Sequence, residues 1–265
     1  MSRSQRHVPP AVRRERILDA LQSHEFLRVH DLGEMFGVSE VTVRGDLEAL
    51  AALGQVRRVH GGAMAQAPPP TERSFEAASS AQAEEKRAIG SAAAALINSG
   101  DLVALDVGTT TMAVAQALRA REDLESVMVL TNGINIALEL EPAFPRVTVV
   151  VTGGTLRPLQ HSLVAPMADR VMAGLNPDVA IVGCNGIDVL RGVTNANLPE
   201  AEVKRRMLHS ARRRMIVADG SKFGAVAPAH LCDISDMDLL LTGGSAPERV
   251  VKRLRRMGTA VEVVE

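Results

Sequence analysis

The sequence predicts an α/β protein in two parts: a small winged helix-turn-helix module, then a larger domain built on a mostly parallel sheet. Three observations lead there. Across residues 1–63 the apolar side chains recur at helical spacing. Beyond residue 79, short Val/Leu/Ile runs that end in Gly or small polar residues alternate with Ala-rich helical stretches. Between them "AMAQAPPPTERS" packs three prolines into a stretch without periodicity, which reads as a semi-rigid linker. The expected domains are therefore 1–63, a linker over 64–78, and 79–265.

Within the first module, "VRRERILDALQSH" sets Val12, Ile17, Leu18 and Leu21 on one side of a first helix. "FLRV" is β-like, and Leu32, Met35 and Phe36 suit a brief second helix closed by a turn at Gly37 and Val38. Ser39 is a good N-cap for a third helix from Glu40 to about Leu53, ended by Gly54. On its wheel Val43, Leu47 and Leu50 share the core side, while Val41, Arg44, Gly45, Glu48 and Ala52 lie opposite with Thr42 at the flank. That outer stripe is small and carries one arginine. It fits a DNA major groove, and it equally fits an amphipathic helix facing water. "QVRRVH" favours the groove: Val56 and Val59 can pack inward while Arg57 and Arg58 reach phosphates, with "FLRV" as the second strand of a wing. His60, Gly61 and Gly62 then release the chain towards the linker.

In the second part, "DLVALDVG", "SVMVLTNG", "VTVVVTGG", "DVAIVGCNG", "RMIVADGS" and "MDLLLTGG" are six apolar strands, and "TAVEVVE" suits a seventh. Helices are expected near residues 110–118, 201–209 and 248–257. Near-continuous apolar strands joined by helices mean a parallel sheet covered on both faces, where ligands meet the carboxyl ends of the strands. The polar residues gather there: "DVGTTT" as an anion-binding helix start, "TNG", "TGG", "GCNGID", "NLPEAEVKRRM" and "ADGSKFG". Glu200 and Lys204, one turn apart, suit either a ligand or an ordinary solvated salt bridge. Such a set fits a polyhydroxylated, anionic small molecule.

Composition limits the rest. The 265 residues are 46% apolar, with five Phe, no Tyr and no Trp, so Val, Leu, Ile, Ala and Met must fill the cores. A net charge of −1 gives no global pull towards polyanions. Cys184 and Cys232 lack metal-like spacing, as do the histidines, and no metal or cofactor is expected. The start "MSRSQRHVPPAVRRER" has no apolar signal core, and no apolar run nears the ~18 residues of a membrane span, so a soluble cytoplasmic chain is expected. The basic runs at 204–206, 212–214 and 252–256 read as solvated helix faces.

These residues also carry a resemblance. "VHDLGEMFGVSEVTVRGDLEALAALGQVRRVHGGA" resembles the winged helix-turn-helix of the DeoR family of bacterial transcription regulators, through VS, T-[IV]-R-x-D-L, L-x-x-x-G and R-x-HGGA. Gly45 departs from the pattern, which usually has a second arginine there. "DVGTTT", "TNG", "GCNG", "EAEVK" and "DGSKFG" resemble that family's effector-binding domain, itself similar to ribose-5-phosphate isomerase. The resemblance implies a repressor of a carbohydrate operon, a homo-oligomer (dimer or tetramer) that binds double-stranded operator DNA and is relieved by a phosphorylated sugar. It implies DNA contacts from Ser39, Val41, Thr42, Arg44, Gly45, Arg57, Arg58 and His60. It assigns Gly108, Thr109 and Thr110 to the phosphate and Asn185, Asp188, Glu200, Lys204 and Lys222 to the sugar, with Asp106, Thr131, Asn132 and Gly154 completing the site. Two alternatives stay open: a sugar-phosphate isomerase-like enzyme, and an architectural DNA-binding protein that senses nothing.

Overall fold

The computed structural model describes residues 9–23, 26–52, 56–59, 61–65, 72–172 and 174–265. They fall into two compact units, 1–68 and 69–265.

In the first unit α1 (Pro10–Ser23), α2 (Val29–Phe36) and α3 (Glu40–Ala52) close on Ile17, Leu21, Leu32, Val43, Leu47 and Leu50. Gly37 ends α2 in the left-handed region that glycine enters without strain. The Ser39 hydroxyl accepts the Thr42 amide at 3.2 Å, capping α3. Val12 and Met35, expected inside, are exposed. Leu53 and Gly54, the expected helix end, lie outside the described residues.

The wing differs from expectation. β1 (Leu27–Arg28), β2 (Val56–Val59) and β3 (Gly62–Ala65) form a three-stranded antiparallel sheet in the order β1-β3-β2, so "FLRV" never pairs with "VRRV". The glycines expected to release the chain instead build its central strand. Gly61, at φ +80°, makes the tight turn. Gly62 is required by packing, because a Cβ there would sit 2.3 Å from the Leu27 carbonyl oxygen. Strand β3, and helix α4 (Phe75–Ser79) in the second unit, thus occupy parts of the stretch expected to be linker.

The second unit continues with α5 (Ala83–Ala95), β4 (Leu102–Leu105), α6 (Thr109–Ala120), β5 (Val127–Thr131), α7 (Ile134–Leu140) and β6 (Val147–Val151). A hairpin follows, β7 (Thr155–Arg157) and β8 (Ser162–Val164), then α8 (Met167–Met172) and β9 (Val179–Gly183). β10 (Gly186–Asp188), β11 (Gly192–Asn195), α9 (Leu198–Ser210), β12 (Arg213–Val217), β13 (Ala229–Cys232), β14 (Leu239–Gly243), α10 (Glu248–Arg256) and β15 (Val261–Val264) complete it. The seven expected strands make one wholly parallel sheet, in the order β15-β14-β12-β9-β4-β5-β6.

Alternate residues of those strands serve opposite layers. Val103, Leu105, Val129 and Ile181 pack with Ile89, Val114, Leu118 and Ile136 of α5, α6 and α7. Ala104, Leu130, Ala180 and Val182 pack with Met172, Met207 and Leu254 of α8, α9 and α10. Helices α5 and α6 approach closely because residue 90 is glycine; a Cβ would meet the Ala113 backbone at 2.5 Å. The β7–β8 hairpin and the antiparallel sheet β10-β11-β13 were not foreseen, since their strands are only three or four residues long and β13 reaches β11 from beyond α9 and β12. Arg213 and Arg214 open strand β12, with Arg212 in the bend before it, rather than lying on a helix.

The chain runs β4, β5, β6 in one direction, then returns to place β9 on the other side of β4. The order reverses between β4 and β9, and in open sheets of this kind the crevice at such a reversal is where ligands bind.

Candidate functional site

On the first unit, the outer side of α3 has the predicted make-up. Val41, Arg44, Gly45 and Glu48 are exposed, and Thr42 is half-buried. Around Gly45 a Cβ would meet nothing within 4 Å, so nothing within the fold demands glycine there. Arg44 donates to Glu40 at 2.8 Å, and Arg58 lies 3.6 Å from Glu48. Arg57 is exposed beside Met64. His60 lies outside the described residues. Arg28, His30, Arg44 and Arg58 line one groove between α3 and the wing. Arg28 and His30 escaped the sequence reading because Arg28 precedes the motif and reaches the groove through the β1–β3 pairing, and nothing in the spacing marks His30, at the start of α2, as facing it.

Asp46 also escaped it. Its carboxylate, 3% exposed, accepts from Arg13 at 2.6 Å and Arg14 at 2.9 Å, fastening α3 to α1. It sits one step from the exposed Arg44–Gly45 pair and faces inward.

On the second unit the crevice at the ends of β4 and β9 holds a cluster of buried charge. Asp106 is fully buried; its Oδ2 accepts the Lys204 ammonium at 2.8 Å and the Gly183 amide at 3.2 Å. Oδ1 has no hydrogen-bond partner within the protein. Burial pushes the Asp106 carboxyl up to about 6, against the pull of Lys204, and Glu200 adds to the rise. Burial opposes the charge on Lys204, but Asp106 and Glu200 outweigh it and hold its pKa above the ordinary lysine value. Lys204 also donates to the Gly183 carbonyl at 3.0 Å.

Glu200 and Lys204 are neither solvated nor paired with each other. Glu200, 4% exposed, accepts from Arg157 at 2.7 Å and from the Ser162 hydroxyl. Arg157 is shared with Glu72, whose carboxylate takes both terminal nitrogens, one of them at 2.6 Å. Arg157, Ser162 and Glu72 were invisible in the sequence, because the β7–β8 hairpin that presents the first two carries no local signal of what it faces.

Beside this cluster α6 begins. Gly108 caps it at φ +156°, a conformation that favours glycine, and the Thr111 hydroxyl bonds back to the Gly108 carbonyl. The first amides of the helix, at Thr109 and Thr110, have no carbonyl partner within the helix. Lys222 stands on the turn after β12, 30% exposed and 3.9 Å from Asp219. Cys184 is half-buried, and desolvation pushes its thiol up to about 12, away from the reactive thiolate.

Other expected residues hold the scaffold. Thr131 and Asn132 are fully buried; Thr131 accepts the Gly133 amide, and Asn132 accepts the Val107 amide and donates to the Leu163 carbonyl. Gly154 lets β8 approach, since a Cβ would lie 2.2 Å from the Val164 oxygen. Asn185 accepts the Ala196 amide, and Asp188 accepts the Leu190 and Arg191 amides to close its own hairpin turn. Of the predicted site residues, the structure groups Asp106, Glu200 and Lys204; Asp188 turns its carboxylate to its own loop.

Among the described residues no helix is long and apolar enough to cross a membrane, and no group of three or more His, Cys, Asp or Glu is placed to hold a metal.

Comparison with known proteins fits both halves. Residues 13–68 match the DeoR-like helix-turn-helix domain, and residues 81–244 match the DeoR C terminal sensor domain. A protein of Escherichia coli O157:H7 assigned as transcriptional repressor of the aga operon is 35% identical over 95% of this chain and 93% of its own. The glycerol-3-phosphate regulon repressor of Haemophilus influenzae is 31% identical over 94% of this chain and 95% of its own. Among solved structures, ribose 5-phosphate isomerase A from Methanocaldococcus jannaschii overlaps 54% of this chain and 55% of its own at 14% identity, with a TM-score of only 0.41. The curated relatives are named as transcriptional regulators rather than enzymes, and with a DNA-binding domain followed by a sensor domain of matching type this chain belongs to the DeoR family of transcription regulators.

Proposed function

We propose that the protein represses a carbohydrate-catabolism operon and lets go of its operator when a phosphorylated sugar enters the crevice between β4 and β9. The observation that carries this reading is the buried charge at that crevice. Asp106, Lys204, Glu200 and Arg157 lie within one cluster, and buried ion pairs add little or nothing to stability over apolar residues of similar volume. A domain serving only to assemble subunits would have no use for them. A sugar hydroxyl would: Asp106 Oδ1 is an unpartnered acceptor, and Lys204 is a fixed donor. The amides at Thr109 and Thr110, with Lys222 from the turn after β12, would supply the charge and donors a phosphate needs. The names of the relatives add an operon for sugar use and a regulon for glycerol 3-phosphate.

On the DNA side, Ser39, Val41, Thr42 and Arg44 would face base edges while Arg57, Arg58, His60 and, from the structure, Arg28 would meet phosphates. Gly45 would let the backbone approach closely. An assembly of two or four chains in the cytoplasm, joined through residues 79–265, would present paired heads to paired half-sites.

Two variants test the division of labour. Arg44→Ala is expected to weaken operator binding by about 1–3 kcal/mol while barely changing affinity for random DNA. Lys222→Glu is expected to bind the operator as before and to ignore the sugar phosphate. Loss of both properties in either variant would contradict the proposal.

A further inference from the structure

We infer that Arg157 is a positioning residue of the sensor crevice, and that its second arm, on Glu72, reports the state of the crevice to the segment that leads to the DNA-binding unit. This rests on the proposed effector reading of that crevice and goes beyond it. Glu200 sits in the first turn of α9, one turn before Lys204, and its carboxylate is held by Arg157 and Ser162 from the β7–β8 hairpin. The same guanidinium grips Glu72, and all three side chains are largely buried, at 18%, 15% and 5% exposure for Arg157, Glu72 and Glu200. A planar fork that engages one carboxylate with both terminal nitrogens and a second with one of them holds both in fixed directions, which an ammonium cannot do.

Glu72 is the first described residue after the stretch that joins the units. The residues behind it are fastened to the same hairpin. The Phe75 amide donates to the Leu159 carbonyl at 2.9 Å, and Glu76 pairs with His161 at 2.7 Å. A ligand that draws on Glu200 therefore changes the grip on Arg157, and Arg157 cannot shift without moving Glu72. The contact is within one unit, so its geometry does not depend on where the DNA-binding head stands. What it fixes is the point from which the chain departs towards that head.

The test compares the full-length wild type, Glu72→Gln and Arg157→Ala on a labelled duplex from upstream of the gene, with D-ribose 5-phosphate, D-glucosamine 6-phosphate and glycerol 3-phosphate as probes. Calorimetry reads probe binding, and anisotropy reads operator affinity with and without probe. Glu72→Gln is expected to bind the active probe within about threefold of wild type, yet to lose at least about fivefold of the probe-induced change in operator affinity. Arg157→Ala is expected to lose both, because Glu200 is released. A wild-type response in Glu72→Gln overturns the inference.

If no probe binds the wild type, the sugar-phosphate reading is what fails, and the joint is judged on ligand-free affinity. Glu72→Gln should then hold the operator at least about fivefold less tightly with random DNA unchanged, and equal operator affinities overturn the inference. Should Glu72→Gln melt early, Arg157→Lys keeps the charge without the fork and is judged by the same response.

Discussion

Replacing Lys204 by methionine is expected to cost about 3 kcal/mol of stability near pH 7.5, and much less near pH 5. Among the described residues the ammonium is the one cationic side chain paired with Asp106, 2.8 Å away in a fully buried setting. Removing it strands a carboxylate that burial already raises to about 6. A raised carboxyl pKa means that the folded chain takes up the proton more readily than the unfolded chain. The stabilisation it gives is full below the ordinary value of 3.8 and is lost as pH rises through about 6. Without Lys204 that loss extends to higher pH and grows, while at low pH the protonated carboxyl is neutral and the substitution costs little. Lys204, also raised, loses its own contribution only at alkaline pH and does not confuse the window. Since the chain has no Trp or Tyr, urea unfolding should be followed by circular dichroism. A deficit that is absent near pH 7.5, or larger near pH 5, would contradict this assignment of charge.

Asp46→Ala is the second large effect expected, about 3–4 kcal/mol in the DNA-binding unit, with operator binding lost alongside. Asp46 supplies the carboxylate that Arg13, itself 5% exposed, and Arg14 share. Its loss leaves buried positive charge between α1 and α3 in a unit whose small core has little stability to spare. Thermal melting and operator binding of Asp46→Ala beside Arg44→Ala would separate the two roles. Arg44→Ala should melt as wild type, and Asp46→Ala should melt early. An Asp46→Ala chain with wild-type melting would show that the pair does not fasten the recognition helix.

Residue patterns with a short period were legible in the sequence. The parallel sheet followed from apolar runs, and the α3 wheel placed Val43, Leu47 and Leu50 inside and Val41, Arg44 and Glu48 outside. Patterns that close only across the fold were not. The HGG stretch looked like a hinge because glycine most often frees a chain, whereas Gly62 is there to let a central strand pass under Leu27. Glu200 and Lys204 looked like an i,i+4 pair, yet each turns to a different partner, Arg157 and Asp106, supplied by elements 43 and 98 positions away (200 less 157; 204 less 106). Asn132 and Asp188 carry polar groups suited to a sugar, and the same groups suit the backbone amides they bind. Nothing local distinguishes the two uses.

The measurement to make first is fluorescence anisotropy of the full-length protein on duplex DNA from upstream of its own gene, titrated with sugar phosphates and with inorganic phosphate. A regulator of the proposed kind binds that duplex in preference to random DNA, and one sugar phosphate releases it at micromolar to low millimolar concentration while inorganic phosphate does not. Tight, specific binding that no sugar phosphate changes would contradict the crevice between β4 and β9 as a sugar-phosphate sensor.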